Sequence, residues 1–455
     1  MPAVDLVVVG TGGAAMAAGI HARAQGKSVV LIERGDVGGT CLNVGCVPSK
    51  TLLAAGGRRA HALHSPFPGA PTSAGPVDLA ALVAQKDELI EQLRGAKYLD
   101  VAAAHGFEIR PGAARFADPD TLLLDGQPLP AAAYVLATGA EPAAPDLPGL
   151  PEVPWLTSTT AMQLRQLPES LIVVGGGSVG LEQAQLFADL GTRVSLVGQL
   201  APRTEPELAD VLRQAFTGAG ITVVEQRAAW VAGDEDAVQV TTDAGQTVTG
   251  RRLLLATGRR ARTDGLDLAA AGITTDPRGF ITVDRWQRTS NPKVWAAGDV
   301  AGAPQYVYVA AATGRAAATN ALGGSFEVDY TGLPAVVFTR PQLASAGLTE
   351  AQALAAGHAC DCRVLAAADI PRALADHTQL GALKLVAATD TGRVLGVHAA
   401  LDGAGDLILA ATYALKTGMT VDHIADTWAP YLTASEALRI AAGLFRTDKP
   451  TSCCA

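Results

Sequence analysis

The sequence predicts an α/β chain with two Rossmann-like dinucleotide-binding domains and a smaller α+β domain at the C-terminal end. Three observations carry that expectation. A strand, a glycine-rich turn, a helix and a second strand ending in an acid follow one another over Asp5–Glu33. The same succession returns at Leu171–Val197, without the acid. From about Leu333 the pattern changes to alternating strand-like runs and an amphipathic helix.

In the first unit, the apolar run Asp5–Val9 breaks at Gly10-Thr11-Gly12-Gly13-Ala14-Ala15 and continues as an Ala-rich helix to about Gln25. Val29–Ile32 then reads as a parallel strand that ends in Glu33. The glycines allow a tight turn and close approach to a pyrophosphate. The helix N-terminus offers N–H donors, and the acid takes a ribose hydroxyl.

Next come Cys41 and Cys46, in Gly38-Gly39-Thr40-Cys41-Leu42-Asn43-Val44-Gly45-Cys46-Val47-Pro48-Ser49-Lys50. Five residues apart on a regular helix, their Cα atoms would be separated by about 8.6 Å, beyond the reach of a disulfide. The pair is therefore expected where a helix starts or is distorted, with Gly45 permitting the distortion.

The second unit runs through Leu171–Val174, Gly175-Gly176-Gly177-Ser178-Val179-Gly180, a helix to Leu190 and a strand Arg193–Val197. Gly198-Gln199 comes next, with no carboxylate for a ribose 2′-hydroxyl, and Arg203 lies a few residues on. That favours NADPH over NADH. Two further strands end alike, in Ala137-Thr138-Gly139 and Ala256-Thr257-Gly258, each marking a chain crossing close to a nucleotide. The Pro-rich stretch Pro142–Pro154 reads as a hinge. Val294–Asp299 reads as a strand whose closing Asp can hold a ribityl chain or a ring edge.

Composition bounds the function. A length of 455 residues implies two to four domains, and 17% charged with 49% apolar residues describes a well-buried globular enzyme. A formal charge of -9 argues against a nucleic-acid partner, which would need a basic face. With no basic n-region and no long apolar span, the chain is expected to be cytoplasmic, with no membrane partner. Six cysteines in that compartment read as redox or metal-binding groups and not as a disulfide scaffold. The eight histidines include no pair at zinc spacing.

Taken together, these motifs resemble the flavoprotein disulfide oxidoreductases (class-I pyridine nucleotide-disulfide oxidoreductases) along nearly the whole chain. The matching residues are Gly10–Ala15 with Glu33, Cys41–Lys50, Gly175–Gly180 with Glu182, both Ala-Thr-Gly turns and Ala297-Gly298-Asp299. Val337–Pro341 and Gly347–Glu350 complete the match. Within that family the chain is similar to the branch that reduces mercuric ion. Tyr431 stands where disulfide-reducing members carry a catalytic His, in Tyr431-Leu432-Thr433-Ala434-Ser435-Glu436, and a phenol is a poor proton donor to a leaving thiolate at neutral pH. Cys453-Cys454 is similar to a metal-collecting tail, and Gln305–Ala311 to the stretch just after the flavin-binding Asp.

The resemblance implies FAD and NADPH as cofactors and thiol complexes of Hg(II) as substrate. It implies a homodimer whose active sites are shared between subunits. It divides the chain into an FAD-binding domain 1–149, an NADPH-binding domain 150–265, a central segment 266–333 returning to the FAD domain, and a C-terminal dimerisation domain 334–455 with the Cys-Cys tail. Cys46 is implied to form the thiolate beside the flavin and Cys41 to be the more accessible exchange thiol. Lys50 and Glu182 are implied to pair near the flavin's reactive nitrogen, and Cys41, Cys46, Cys453 and Cys454 to ligate the metal. Residues implied to bind cofactor are Gly10, Gly12, Gly13, Ala14, Glu33, Gly39, Thr40, Lys50, Ala114, Thr138 and Gly139. To these are added Gly175, Gly177, Gly180, Glu182, Arg203, Gly258, Asp299, Gln305 and Val307. Two alternatives stand beside this: a disulfide reductase of the dihydrolipoamide or glutathione type, which the absent His opposes, and a non-catalytic soft-metal-binding protein, which the two nucleotide sites oppose. Cys360 and Cys362 have no counterpart in the family; strand alternation puts both on one face, and they read as structural.

Overall fold

The computed structural model describes residues 4–302 and 304–447. The first sheet is parallel, in the order Val294–Ala296, Ala131–Leu136, Val4–Val9, Val29–Glu33, Glu108–Pro111. Its central strands are Val/Leu runs because both faces are covered, as parallel sheets require. Val7, Val9, Tyr134 and Leu136 face one core, and Leu6, Val8, Ala133 and Val135 the other. Helices Gly13–Ala24 and Val307–Ala321 cover the second face nearly backbone to backbone: a Cβ on Gly314 would lie 2.0 Å from the Ala14 carbonyl oxygen. Small residues at this crossing are a steric demand.

A second parallel sheet runs Thr222–Val224, Arg193–Val197, Ser170–Val174, Arg252–Leu255, Trp155–Leu156. A three-stranded antiparallel sheet, Ala228–Gly233, Val238–Thr242 and Thr247–Gly250, packs on it. The stretch Pro142–Pro154, expected to be a hinge, is held down: Leu147, Leu150 and Val153 are buried among Val231, Val240 and Leu253, and Val231 N–H donates to the Pro148 carbonyl at 3.0 Å. Prolines punctuate the chain here, but the apolar residues three apart anchor it.

Residues after the second unit return to the first. Leu266, Ala271, Ile273, Phe280 and Ile281 share a core with Val7, Leu136 and Val294. The third main sheet is antiparallel, in the order Pro334–Val337, Gln342–Gly347, Val394–Leu401, Ala382–Ala388, Cys360–Ala366. Helices Ala404–Thr417 and Glu436–Gly443 bury one face of it. On the other face Leu343, Ala382 and Ala400 meet Leu208 and Leu212 of helix Pro206–Gly218, so this sheet and the second nucleotide unit share one core. Among the described residues no helix is long and apolar enough to cross a membrane.

Candidate active site

Where the three units converge they enclose a cavity of about 1950 Å³, roughly twice the upper end of the ~300–1,000 Å³ usual for a single small-molecule site. Two glycine turns open into it with the same construction. Gly10 and Gly175 both adopt φ +115°, and a Cβ on either would stand 2.4 Å from a carbonyl oxygen, that of Ala137 or of Ala256. Gly12 and Gly177 precede helices Gly13–Ala24 and Ser178–Leu190, and neither helix has a side-chain cap. Their first N–H groups are thus left for an anion, the demand a pyrophosphate meets.

The ends of the second strands differ. Glu33 accepts from Thr11 Oγ1 at 2.5 Å and from Gly35 N–H at 2.9 Å, which aims an acceptor at the cavity rim. The equivalent place in the second unit is Gly198, at φ +133°; Arg203 is exposed on the cavity wall, within electrostatic reach of Tyr306 across it.

Between the turns lies the sulfur pair. Cys41 is on the short helix Gly39–Asn43 and Cys46 opens helix Cys46–Leu63; Gly45, which breaks the run, is so tight against Thr40 that a Cβ there would sit 2.8 Å from its carbonyl oxygen. Both thiols are half-buried and unlinked. The Cys41 S–H donates to Cys46, and this bond, helped by the nearby Lys50 charge against the cost of burial, lowers Cys46 to about 7. The same bond, with burial, pushes Cys41 far up. Above about pH 7 one proton is thus shared between two sulfurs, with the thiolate on Cys46.

Lys50 Nζ lies 2.7 Å from Glu182 Oε2 and 4.6 Å from the centre of the Phe338 ring, and Glu182 Oε1 accepts from Phe338 N–H at 3.1 Å. One carboxylate therefore ties the dithiol helix, the second unit's helix and the third sheet's first strand together. About two turns along the same helix, Arg340 pairs with Asp189.

Asp299 is largely buried, which pushes its carboxyl up, and lies 4.0 Å from Arg259 Nε. That Nε is buried on the cavity wall with no hydrogen-bond acceptor, and burial lowers the guanidinium. An unsatisfied N–H donor at such a place fits a polar ligand. Uncapped helix ends, the opposed Glu33 and this donor suit one dinucleotide in each turn.

Of the residues singled out from sequence, Gly10, Gly12, Gly13, Ala14, Glu33, Gly39, Thr40, Cys41, Cys46, Lys50, Ala114, Thr138 and Gly139 line the cavity. So do Gly175, Gly177, Glu182, Arg203, Gly258, Asp299, Gln305 and Val307. Gly180 does not; a Cβ there would lie 1.8 Å from the Gly175 carbonyl oxygen, so it closes the turn against its helix. Tyr431 is exposed in the third unit, off the cavity wall. Cys453 and Cys454 lie outside the described residues.

Two residues escaped sequence reasoning. Arg259 comes directly after the second Ala-Thr-Gly, and that adjacency was a usable signal. Tyr98 sits in a π-helical turn, Gly95–Leu99, and its phenol is pushed up to about 12, first by burial and then by the charge of Cys41 and Cys46. Such turns recur at functional sites, but no sequence pattern announces one.

Comparison with known proteins agrees with this geometry. A family profile described as pyridine nucleotide-disulphide oxidoreductase matches residues 4–314, and that of the family's dimerisation domain matches 333–442. A mercuric reductase of Streptomyces lividans is 50% identical over 99% of this chain and 98% of its own. One from Staphylococcus aureus is 41% identical over 99% of this chain and 84% of its own. Among solved structures, the HOCl-induced flavoprotein disulfide reductase RclA from Escherichia coli superposes with a TM-score of 0.86 at 27% identity, covering 97% of this chain and 99% of that one. LpdA from Mycobacterium tuberculosis gives 0.83 at 29%, covering 97% and 100%. Sequence, fold and cavity agree: the chain belongs to the pyridine nucleotide-disulphide oxidoreductase family.

Proposed function

We propose that the chain is an NADPH-dependent reductase of Hg(II), which it receives as thiol complexes and releases as Hg(0) in mercury detoxification. The observation that carries this reading is the thiol–thiolate pair Cys41/Cys46 on the wall of a cavity bounded by two dinucleotide turns, in a chain 50% identical to a mercuric reductase over nearly its whole length.

FAD and NAD(P)H are the cofactors, held at the Gly10–Ala14 and Gly175–Gly180 turns; bound FAD supplies a two-electron relay between the nicotinamide and the sulfur site. Cys41, the exchange thiol, attacks the bis-thiolate complex, and one carrier leaves with the Cys41 proton. The Cys46 thiolate then displaces the second carrier thiolate. Two soft ligands then hold a soft d¹⁰ ion. The balance is NADPH + Hg(SR)₂ + H⁺ giving NADP⁺, Hg(0) and two RSH. Lys50 keeps a positive charge beside the thiolate, and Glu182 fixes Lys50 in place.

The dimerisation domain makes a homodimer the working unit. On this reading the partner subunit's Tyr431, Cys453 and Cys454 complete each site, delivering the ion without exposing it uncomplexed. The same reading divides the chain after residues 149, 265 and 333 into FAD-binding, NADPH-binding, central and dimerisation parts, and puts the enzyme in the cytoplasm. The test is NADPH oxidation with Hg(II) in excess thiol, with evolved mercury vapour measured alongside. Mercury-independent NADPH oxidation with an oxidised disulfide would favour the disulfide reductase, and tight binding without vapour the sequestering protein.

A further inference from the structure

Cys360 and Cys362 lie outside the cavity, on the edge strand Cys360–Ala366 of the third sheet. They pair with Ala388 and Val386 of the neighbouring strand and share the face that carries Lys384. The residues between and beyond them point the other way: Arg363 donates to the Leu444 carbonyl and to Asp361, and Leu365 is buried in the core. Both thiols are free and half-buried. The Cys362 thiol bonds to Glu350, whose Oε2 also accepts from Lys384 Nζ at 2.7 Å. Lys384, 2% exposed, is shared with Glu205 at 3.1 Å and Glu207 at 2.9 Å.

We propose that Cys360 and Cys362 form a second soft-metal site, separate from the active-site dithiol, that takes one two-coordinate d¹⁰ cation such as Hg(II). The reach is right for this ion and wrong for the alternatives. Side chains two apart on a strand stand about 6.7 Å from one another. A disulfide needs Cβ atoms at about 3.5–4.5 Å, so the pair does not close on itself and remains available. Two sulfurs leaning together to about 4.6 Å span a linear S–metal–S unit with bonds of about 2.3 Å. Zinc or iron would need further ligands, and among the described residues no group of three or more His, Cys, Asp or Glu side chains could hold a metal. Two-fold coordination by soft thiolates is what this strand offers.

The charge balance also favours it. Two thiolates and one dication sum to zero, so occupation adds no net charge to a half-buried face already holding Glu350 and Lys384. The step is ligand exchange: two carrier-thiolate bonds to mercury break, two cysteine-thiolate bonds form, and each cysteine proton leaves on a departing carrier. Mercury stays at +2 and nothing is oxidised or reduced.

The chain has six cysteines, which makes the test direct. In the full-length flavin-loaded protein, Cys41, Cys46, Cys453 and Cys454 are replaced with Ala, leaving this pair alone. Hg(II) is supplied as its bis-complex with 2-mercaptoethanol in about hundredfold excess of that thiol, and mercury is counted after gel filtration. One Hg per chain should survive, because the second sulfur binds intramolecularly. Adding Cys360→Ser or Cys362→Ser should lower retention at least about tenfold. No retained mercury, equal retention in the single serine variants, or two ions per chain would overturn the site; so would Zn(II) binding as tightly. Unmodified protein gives a second measurement: Hg(II) should protect both Cys360 and Cys362 from iodoacetamide, read by peptide mass mapping, and failure to protect them overturns the site as well. Neither readout involves turnover, so a negative result leaves the proposed catalytic reaction untouched. Conversely, Cys360→Ser with Cys362→Ser should leave NADPH-dependent turnover unchanged.

Discussion

The two nucleotide units are copies in their turns and opposites in the segments just beyond them. Gly10 and Gly175 share φ and share the same 2.4 Å approach to a crossing carbonyl. Past the turn, the first unit supplies Glu33 and then the dithiol helix. The second supplies a glycine, an exposed Arg203, and a helix, Ser178–Leu190, buried along most of its length and carrying Glu182 and Asp189 to the other units. On the proposed reading a common backbone device binds the pyrophosphate, while the residues just outside it decide which nucleotide is held and what chemistry it meets.

The largest expected effects come from breaking each turn in isolation. Gly10→Ala and Gly175→Ala each force a Cβ against a carbonyl at φ near +115°, a cost of about 2–4 kcal/mol from strain and overpacking. Gly10→Ala should yield protein depleted of flavin. Gly175→Ala should remain yellow and lose reduction of its flavin by NADPH. If both variants lose flavin equally, the two turns are not separate sites.

Next come the sulfurs. Cys41→Ala and Cys46→Ala should each lower Hg(II) turnover by at least about a thousandfold, as loss of a nucleophile does, but only Cys46→Ala should abolish the long-wavelength thiolate band of the reduced enzyme. Persistence of that band in Cys46→Ala would reverse the two assignments.

Arg203→Ala should raise the KM for NADPH about tenfold, equivalent to roughly 1.4 kcal/mol, with little change for NADH. A parallel loss with both cofactors would mean that Arg203 meets something other than the 2′-phosphate.

The smallest effect concerns pH. Because the Cys46 pKa is lowered to about 7, its thiolate persists above that pH and disappears as pH falls through it. Alkylation of Cys46 in the reduced enzyme should therefore rise with a midpoint near 7. Cys41→Ala removes the main cause and should move the midpoint up toward the ordinary value of about 8.5; Lys50→Met, removing a lesser cause, should move it less. An unchanged midpoint in Cys41→Ala would show that the shared proton is not what activates Cys46.

What was readable in the sequence was what the backbone demands locally. Gly10 and Gly175 sit where a side chain would strike a crossing carbonyl, and alternation placed Cys360 and Cys362 on one face. The Lys50–Glu182 pair, 132 residues apart, was readable only through family resemblance, because nothing local links the two. Tyr98, the unpartnered Arg259 Nε and the Lys384 cluster were not readable, since each depends on how distant segments are packed. Pro142–Pro154 misled for the opposite reason: proline marks where regular structure stops, and says nothing of whether the segment is then buried.

The first sheet is completed late. Strand Ala131–Leu136 has Val4–Val9 on one side and Val294–Ala296 on the other, and the entire second nucleotide unit is synthesised between them. At about 5–20 residues per second, that edge waits on the ribosome for on the order of ten seconds or more. An open apolar strand for that long is a template for mispairing. Nascent chains stalled between residues 140 and 290 should therefore be protease-sensitive in the first unit, and those extended far enough to expose 294–321 should be protected. The order of translation, and not just the final packing, then sets how much of this enzyme a cell recovers.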